Sequence, residues 1–121
     1  MIERKYKILE LYNGEKDLVV LFNIKNYEVL GSFFYSDVIP FEDWIKADFD
    51  KVIFGESQYE EVNGNVCHVE IGPETTKVYN ELIEDDEEYY STCCEVDTRE
   101  LRQLIDEWCE KYHEFKRKQS K

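Results

Sequence analysis

Cysteine and histidine are the residues of this chain whose types and spacing suit nucleophilic or metal chemistry. The chain has four cysteines and two histidines. Cys109 and His113 lie four residues apart, which is a workable spacing for two metal ligands on one face of a helix. Cys67 and His68 are adjacent, and they offer either further ligands or a thiol with a neighbouring base. A metal site and a cysteine–histidine catalytic pair are therefore the chemical alternatives that these residues present.

The spacing of the cysteines favours buried thiols over both alternatives. The chain contains no C-x-x-C pair, which is the tight spacing that structural zinc sites commonly use. Cys93 and Cys94 are adjacent, so on a strand their side chains point to opposite faces and cannot both reach one ion. Free cysteine is among the most buried residue types. We therefore predict that the four cysteines are core thiols and that no metal is bound, with redox chemistry as a further alternative.

Sequence motifs for catalysis and nucleotide binding are absent. The chain contains no G-x-x-x-x-G-K, G-x-G-x-x-G or H-E-x-x-H pattern, and its five glycines are few for a phosphate-binding loop. The run DDEE lacks the alternate spacing and the turn glycine of a calcium-binding EF-hand loop. The sequence therefore predicts that the protein is not an enzyme and needs no cofactor.

The densest charge lies in the segment ELIEDDEEYYSTCCEVDTRE, residues 81–100. Six carboxylates fall between Glu81 and Glu88 without a Lys or Arg among them, and two tyrosines follow at once. Tyrosine is a common anchor in protein interfaces, and carboxylates around it would pair with Lys or Arg of a basic partner. We therefore predict a partner-binding stretch composed of Glu84, Asp85, Asp86, Glu87, Glu88 and Tyr89.

The net charge of −13 is concentrated in the middle of the chain. Residues 26–97 carry nineteen acids and three bases, whereas residues 1–25 carry four acids and five bases, and residues 98–121 carry five acids and seven bases. An acidic surface repels the phosphates of nucleic acids and of anionic membranes, so we predict direct binding to neither. It attracts a basic protein partner. Solubility alone is the alternative explanation of the charge.

Compartment signals favour the cytoplasm. The opening MIERKYKILELYNG mixes charged and apolar residues and has no apolar core of a secretory signal. No apolar run approaches the roughly 18 residues of a membrane span. The cysteines are therefore expected to be reduced.

Strand signals dominate much of the chain. KYKILELYNGEKDLVVLFNI predicts a hairpin with strands near 4–12 and 17–25, and YEVLGSFFYSD predicts a third strand of a meander, with a bulge at Gly31. QYEEVNGNVCHVEIG alternates around Asn63-Gly64, which predicts a hairpin with a two-residue type I′ turn. TTKVYNEL is ambiguous between strand and helical turn, and EEYYSTCCEV predicts another strand. In the central hairpin one face would hold Val62, Cys67, Val69 and Ile71, and the other Tyr59, Glu61, Val66, His68 and Glu70.

Two helices complete the predicted fold. IPFEDWIKADFDKVIFG changes to helical spacing near 41–53 and ends at Gly55. DTRELRQLIDEWCEKYHEF predicts a helix near 98–117, with Asp97 as its N-cap and an expected frayed basic tail near 116–121. The prediction is a single α+β domain, residues 1–121, with an antiparallel sheet of five to six strands packed by these two helices. The first helix is expected to expose a second acidic patch, formed by Glu42, Asp43, Asp48 and Asp50.

A family resemblance follows from the closing EVDTRELRQLIDEWCEKYHEF after an acidic, tyrosine-rich strand, together with the acidic helix PFEDWIKADFD. In these features and in its size the chain resembles the immunity proteins of bacterial polymorphic toxin and contact-dependent inhibition systems. The resemblance implies a stoichiometric inhibitor that binds a cognate toxin domain, often a basic nuclease, and blocks its active site or substrate surface. The alternatives are a DNA-mimic inhibitor of a nucleic-acid enzyme and a non-catalytic regulatory or interaction domain.

Overall fold

Two antiparallel sheets and three α-helices make up the described residues, 2–82 and 93–119, in a computed structural model. Strands β1 (Arg4–Glu10) and β2 (Lys16–Phe22) form the first sheet. The second has the order β3 (Glu60–Asn63), β4 (Cys67–Ile71), β5 (Thr75–Asn80) and β6 (Cys93–Asp97). The helices are α1 (Glu28–Phe33), α2 (Glu42–Ile53) and α3 (Thr98–Gln119). The predicted α+β class and strand number are confirmed, although the six strands of this part of the chain divide between two sheets.

The N-terminal hairpin has the predicted strands, shortened by up to three residues at their ends. Tyr6 lies opposite Val20, and Ile8 lies opposite Leu18. Gly14 supplies the positive φ of 84° that the connecting turn requires and that glycine adopts readily. Leu18 and Val20 are buried, whereas Ile8 is 55% exposed, so β2 faces the core more fully than β1.

The predicted third strand is wrong, because its residues form α1 and a π-helical turn at Phe34–Val38. Their aromatic and branched side chains suit a strand, but the buried residues recur every four positions, as on one face of a helix. Gly31 is not at a bulge. A Cβ atom at Gly31 would lie 3.2 Å from the carbonyl oxygen of Val20, so glycine lets α1 approach β2 closely. The buried apolar side chains of this region are Val29, Leu30, Phe33, Phe34 and Val38.

The central hairpin has the predicted faces but a different turn. Asn63 pairs with His68, so the reversal spans Gly64 to Cys67 and Asn63 is the last residue of β3. The turn is displaced by two residues from the predicted one, and an even shift leaves every side chain on its predicted face. The buried face carries Val62, Cys67, Val69 and Ile71.

Asp37 explains the displaced turn. Its side chain is fully buried and accepts hydrogen bonds from the backbone N–H groups of Asn65 (2.6 Å), Val66 (3.0 Å) and Cys67 (2.8 Å). A Cβ atom at Gly64 would lie 2.4 Å from the carboxylate carbon of Asp37, which requires glycine at this position. Three N–H groups around one carboxylate outweigh the local preference of Asn-Gly for its own turn.

The remaining sheet is regular. The segment TTKVYNEL provides strand β5, and Val78 lies opposite Val69 on one side and Cys94 on the other. Of EEYYSTCCEV, the described residues form β6, in which Cys94 and Val96 are buried and Cys93, Glu95 and Asp97 are exposed.

Helices α2 and α3 confirm the predicted boundaries within two residues. Gly55, with φ 81°, follows the end of α2 and its N–H bonds to the carbonyl oxygen of Val52 at 3.2 Å. The carboxylate of Asp97 accepts the N–H of Glu100 at 2.9 Å and so caps α3. Helix α3 continues to Gln119; the fraying of residues 116–121 and the single-domain boundary stay predictions.

Helix α3 packs across the core and onto the N-terminal hairpin. Trp108 is fully buried, and its indole N–H donates to the carbonyl oxygen of Phe34 at 2.8 Å. Arg4 forms two hydrogen bonds with Glu107, at 2.8 and 2.7 Å. The side chain of Gln119 donates to the carbonyl oxygen of Lys16 at 3.0 Å. The first and last elements of the described chain are therefore packed together.

Candidate partner-binding surface

The predicted acidic stretch Glu84–Glu88 and Tyr89 lies outside the described residues. In sequence it connects β5 to β6, which are neighbours in the four-stranded sheet. Its role in partner binding stays a prediction.

Acids of α2 are paired with cations of α2 and α3. Glu42 bonds to Lys46 at 2.9 Å and to Nε2 of His113 at 2.5 Å. Asp50 accepts the Nε–H of Arg102 at 2.9 Å. The same guanidinium bonds to Asp106 at 2.6 Å, and Lys46 lies 3.5 Å from that carboxylate. We call this network the helix seam; its members are Glu42, Lys46, Asp50, Arg102, Asp106 and His113.

These contacts shift the pKa values of Glu42 and Arg102 in the directions expected for ion pairs. Partial burial alone would raise the pKa of Glu42, but the hydrogen bonds from Lys46 and His113 outweigh it and lower that pKa. Burial would likewise lower the pKa of Arg102, and its bonds to Asp50 and Asp106 raise it instead. These shifts favour the charged forms of Glu42 and Arg102, and each of these charges has an oppositely charged partner within the chain.

The predicted exposed patch on α2 needs one correction. Asp48 is only 5% exposed and lies 3.5 Å from Lys51, so it is not on the solvent face. Asp43 is exposed, and the neighbouring Trp44 is 44% exposed. Helix α2 turns slightly from the predicted orientation because Ile45, Phe49 and Val52 define its buried side. Partner binding by Glu42, Asp43, Asp48 and Asp50 stays a prediction.

Acids on the solvent side of the four-stranded sheet have different partners. Glu61 lies directly opposite Glu70, and the row continues through Lys77 to Glu95. Two of these carboxylates are hydrogen-bonded by neutral hydroxyl groups, because Tyr59 donates to Glu61 at 2.6 Å and Thr75 donates to Glu95 at 2.9 Å. We call this surface the outer sheet face; its members are Tyr59, Glu61, His68, Glu70, Lys77, Tyr79 and Glu95.

His68 is held in one orientation at the centre of this surface. Its Nδ1 atom lies 2.8 Å from the side-chain oxygen of Asn63, and its Nε2 atom lies 3.6 Å from Glu70. The imidazole ring stacks on Tyr79 with a centroid distance of 6.1 Å, and the Tyr79 hydroxyl donates to Glu70 at 3.4 Å. In the tautomer that carries its proton on Nδ1, Asn63 accepts that N–H and Nε2 is left as an acceptor beside Glu70.

Glu61, His68 and Glu70 bring three acceptor atoms within 4.8 Å of one another. Such a group can hold one cation, either a metal ion or a basic side chain. Sequence alternation had already placed these three residues on one face. It did not single them out, because their grouping depends on the cross-strand register of Glu61 with Glu70.

The cysteines are placed largely as predicted. Cys67, Cys94 and Cys109 are buried, whereas Cys93 is exposed and so is not the core thiol that was predicted. Burial raises the pKa of Cys94 and of Cys109 to about 12, and it raises that of Cys67 further, with the carboxylate of Asp37 adding to the shift. Buried thiols with raised pKa values are poor nucleophiles. Within residues 2–82 and 93–119, no cysteine belongs to a group of three or more close metal-ligating side chains.

In residues 2–82 and 93–119, each helix is too short or too polar to span a lipid bilayer.

Comparison with known proteins identifies the family. A protein of Bacillus cereus named "Immunity protein" is 34% identical to this chain over 116 residues, which cover 96% of this chain and 94% of that protein. The chain belongs to this immunity-protein family. No family model matches the chain, and no solved structure matches it. The resemblance predicted from the acidic helix and the closing segment is confirmed, and an immunity function in general follows for the chain.

Proposed function

We propose that this immunity protein binds a cognate toxin domain with a basic surface, such as a nuclease, and neutralises it by covering its active site or substrate-binding surface. The observation that carries the proposal is the full-length similarity to a protein named as an immunity protein. In this proposal the protein acts in the bacterial cytoplasm as a non-catalytic, stoichiometric inhibitor.

Charge supports a basic partner. The net charge is −13, and nineteen of the 28 acids lie between residues 26 and 97. The cations of the helix seam already compensate Glu42 and Asp50, so that network adds little to the field outside the molecule. A hydroxyl group carries no charge, so its hydrogen bond to an acid of the outer sheet face does not compensate the charge of that acid. Complementary fields speed encounter and disfavour wrong partners.

The proposed contact includes the stretch Glu84, Asp85, Asp86, Glu87, Glu88 and Tyr89. Its support is the density of carboxylates beside a tyrosine and the absence of Lys or Arg between Glu81 and Glu88. On α2, Asp43 is the exposed member of the second proposed patch.

We expect the cognate toxin domain to be encoded beside the gene for this chain, and the decisive experiment uses that domain. Cells that express this domain should die, and co-expression of the chain should restore growth. The two purified proteins should form a one-to-one complex whose affinity falls as salt concentration rises. A toxin domain that kills equally with and without the chain would refute the proposed function.

The contact stretch is tested separately by charge reversal. Asp85→Lys, Asp86→Lys, Glu87→Lys and Glu88→Lys together should abolish the complex while the unfolding midpoint in urea stays unchanged. Undiminished binding by this variant would exclude the stretch from the contact. Competition by duplex DNA for the same target would instead favour the DNA-mimic alternative, in which the target is a DNA-binding enzyme.

A further inference from the structure

We infer that the outer sheet face is a docking surface for the toxin, and that Glu61, His68 and Glu70 receive one of its arginine or lysine side chains. This inference rests on the proposed function and adds the place and chemistry of a contact. It concerns residues that the acidity of the chain as a whole does not single out.

An unfavourable arrangement in the free protein is the first argument. Glu61 and Glu70 are directly opposite each other on β3 and β4. Like charges at such positions destabilise an antiparallel pair. Two acids of the helix seam are instead bonded to cations, Glu42 to Lys46 and Asp50 to Arg102. A cation placed between Glu61 and Glu70 would relieve their repulsion, so binding energy is available at this position.

Fixed geometry is the second argument. Tyr59 holds the carboxylate of Glu61 at 2.6 Å, and Asn63 holds the ring of His68 at 2.8 Å. Each carboxylate keeps further lone pairs after accepting one hydroxyl hydrogen. A receptor that is already ordered loses less conformational entropy when a ligand binds.

The shape of the group suits a guanidinium or an ammonium ion. The three acceptor atoms lie within 4.8 Å of one another, and a guanidinium presents five N–H donors in one plane. Tyr59 is 46% exposed and Tyr79 stacks beside His68, so aromatic rings flank the acceptors. Tyrosine is enriched among the interface residues that contribute much of the binding energy.

Lys77 limits the attraction on one side only. It lies between Glu70 and Glu95 in the cross-strand row and compensates those two acids in part. The other end of the row, Glu61 with Glu70, has no cation between its members in the register of β3 with β4. The cationic side chain is therefore expected at the β3–β4 end of the outer sheet face.

The test compares two charge-neutralising double variants of the full chain. Glu61→Gln with Glu70→Gln removes the proposed acceptors, and Glu15→Gln with Glu110→Gln removes the same charge from exposed positions outside the sheet. Affinity for the toxin domain encoded beside the gene is measured by calorimetry, and stability of the free chain by urea unfolding. The first variant should bind about tenfold more weakly or worse, as expected for loss of a central contact. Its unfolding midpoint should be equal to or above that of the wild type.

The outcomes separate this inference from the proposed function. Equal affinity losses in the two double variants would overturn the inference, while binding by the wild-type chain would leave the immunity function in place. A wild-type chain that neither binds nor protects would overturn both. A last measurement titrates Zn²⁺ into the wild-type chain and into the first variant, without the toxin domain. Binding of Zn²⁺ that is lost in the first variant, with toxin affinity unchanged, would make the group a metal site and refute the docking role.

Discussion

The helix seam and the outer sheet face are both rich in carboxylates, yet the two regions use them differently. In the helix seam, Glu42 and Asp50 bond to Lys46, His113 and Arg102, so the charges hold α2 against α3. On the outer sheet face, Glu61 and Glu70 bond to tyrosine hydroxyls and face each other. The partner of an acid, and not the number of acids, therefore indicates where a basic protein can bind.

The largest effect on stability is expected at Asp37, because its carboxylate is buried and hydrogen-bonds to the backbone of the fold. Asp37→Asn removes a buried charge that accepts three backbone N–H groups at the β3–β4 turn. An amide also brings an NH₂ group into a site that presents only donors. We expect a loss of about 3 kcal/mol or more in the free energy of unfolding.

Urea unfolding followed by tryptophan fluorescence measures this loss, since Trp108 is buried in the core. The matched control is Asp43→Asn on the exposed side of α2, which should change stability by less than about 0.5 kcal/mol. Equal stability of the two variants would mean that the β3–β4 turn does not depend on Asp37.

A medium effect is expected within the helix seam. Asp50→Asn removes the partner of Arg102 that lies on α2 and leaves Asp106, its partner on α3, in place. We expect a loss of about 0.5–1 kcal/mol because the pair is partly exposed. A double-mutant cycle with Arg102→Gln isolates the pair and is read from urea midpoints. A coupling energy of zero would show that the contact does not hold the two helices together.

The smallest effect is expected in the stability of the protein at acidic pH. A hydrogen bond from Arg4 is the largest cause that lowers the pKa of Glu107. Burial opposes it, and a hydrogen bond from Tyr6 and the weaker attraction of Lys111 lower the pKa further. A lowered pKa stabilises the fold above the unfolded-state value of about 4.3, and this contribution is lost as the pH falls through the folded-state pKa. Glu107→Gln should therefore lose stability at neutral pH and show a shallower decline between about pH 5 and pH 3.

Unfolding midpoints in urea across this pH range provide the measurement. Glu110→Gln, at an exposed position of the same helix, is the control and should follow the wild-type curve. Parallel curves for the wild type and Glu107→Gln would exclude Glu107 as a source of acid sensitivity.

The spacing of apolar residues in the sequence correctly predicted the strands and helices that bury one regular face. Alternation placed Val69 and Ile71 in the core, and helical spacing with Asp97 before it placed α3. The β3–β4 turn was mispredicted because the residue that decides it, Asp37, lies 28 positions before Asn65 in the sequence. Helix α1 was mispredicted because its close approach to β2 at Gly31 is a tertiary contact.

The candidate site was predictable only in part, for the same reason. The sequence placed Glu61, His68 and Glu70 on one face, but their distances follow from the strand register. Conversely, Asp48 was expected to be exposed and is buried, and Asp50 pairs with Arg102 of a distant helix. Charge patterns along a chain do not show which charges its own fold will compensate.

The packing of the N-terminal hairpin against α3 has a consequence for how the protein is made. Arg4 and its partner Glu107 are 103 residues apart, and Ile2 bonds to Glu100 across 98 residues. At about 5–20 residues per second, roughly 5–20 s of translation separate the two members of each contact. During that interval the N-terminal hairpin lacks its contacts with α3, which include the hydrogen bond from Gln119 to Lys16. Protection by each new molecule should therefore begin only once α3 has left the ribosome, and a message cut short within α3 should yield no active protein.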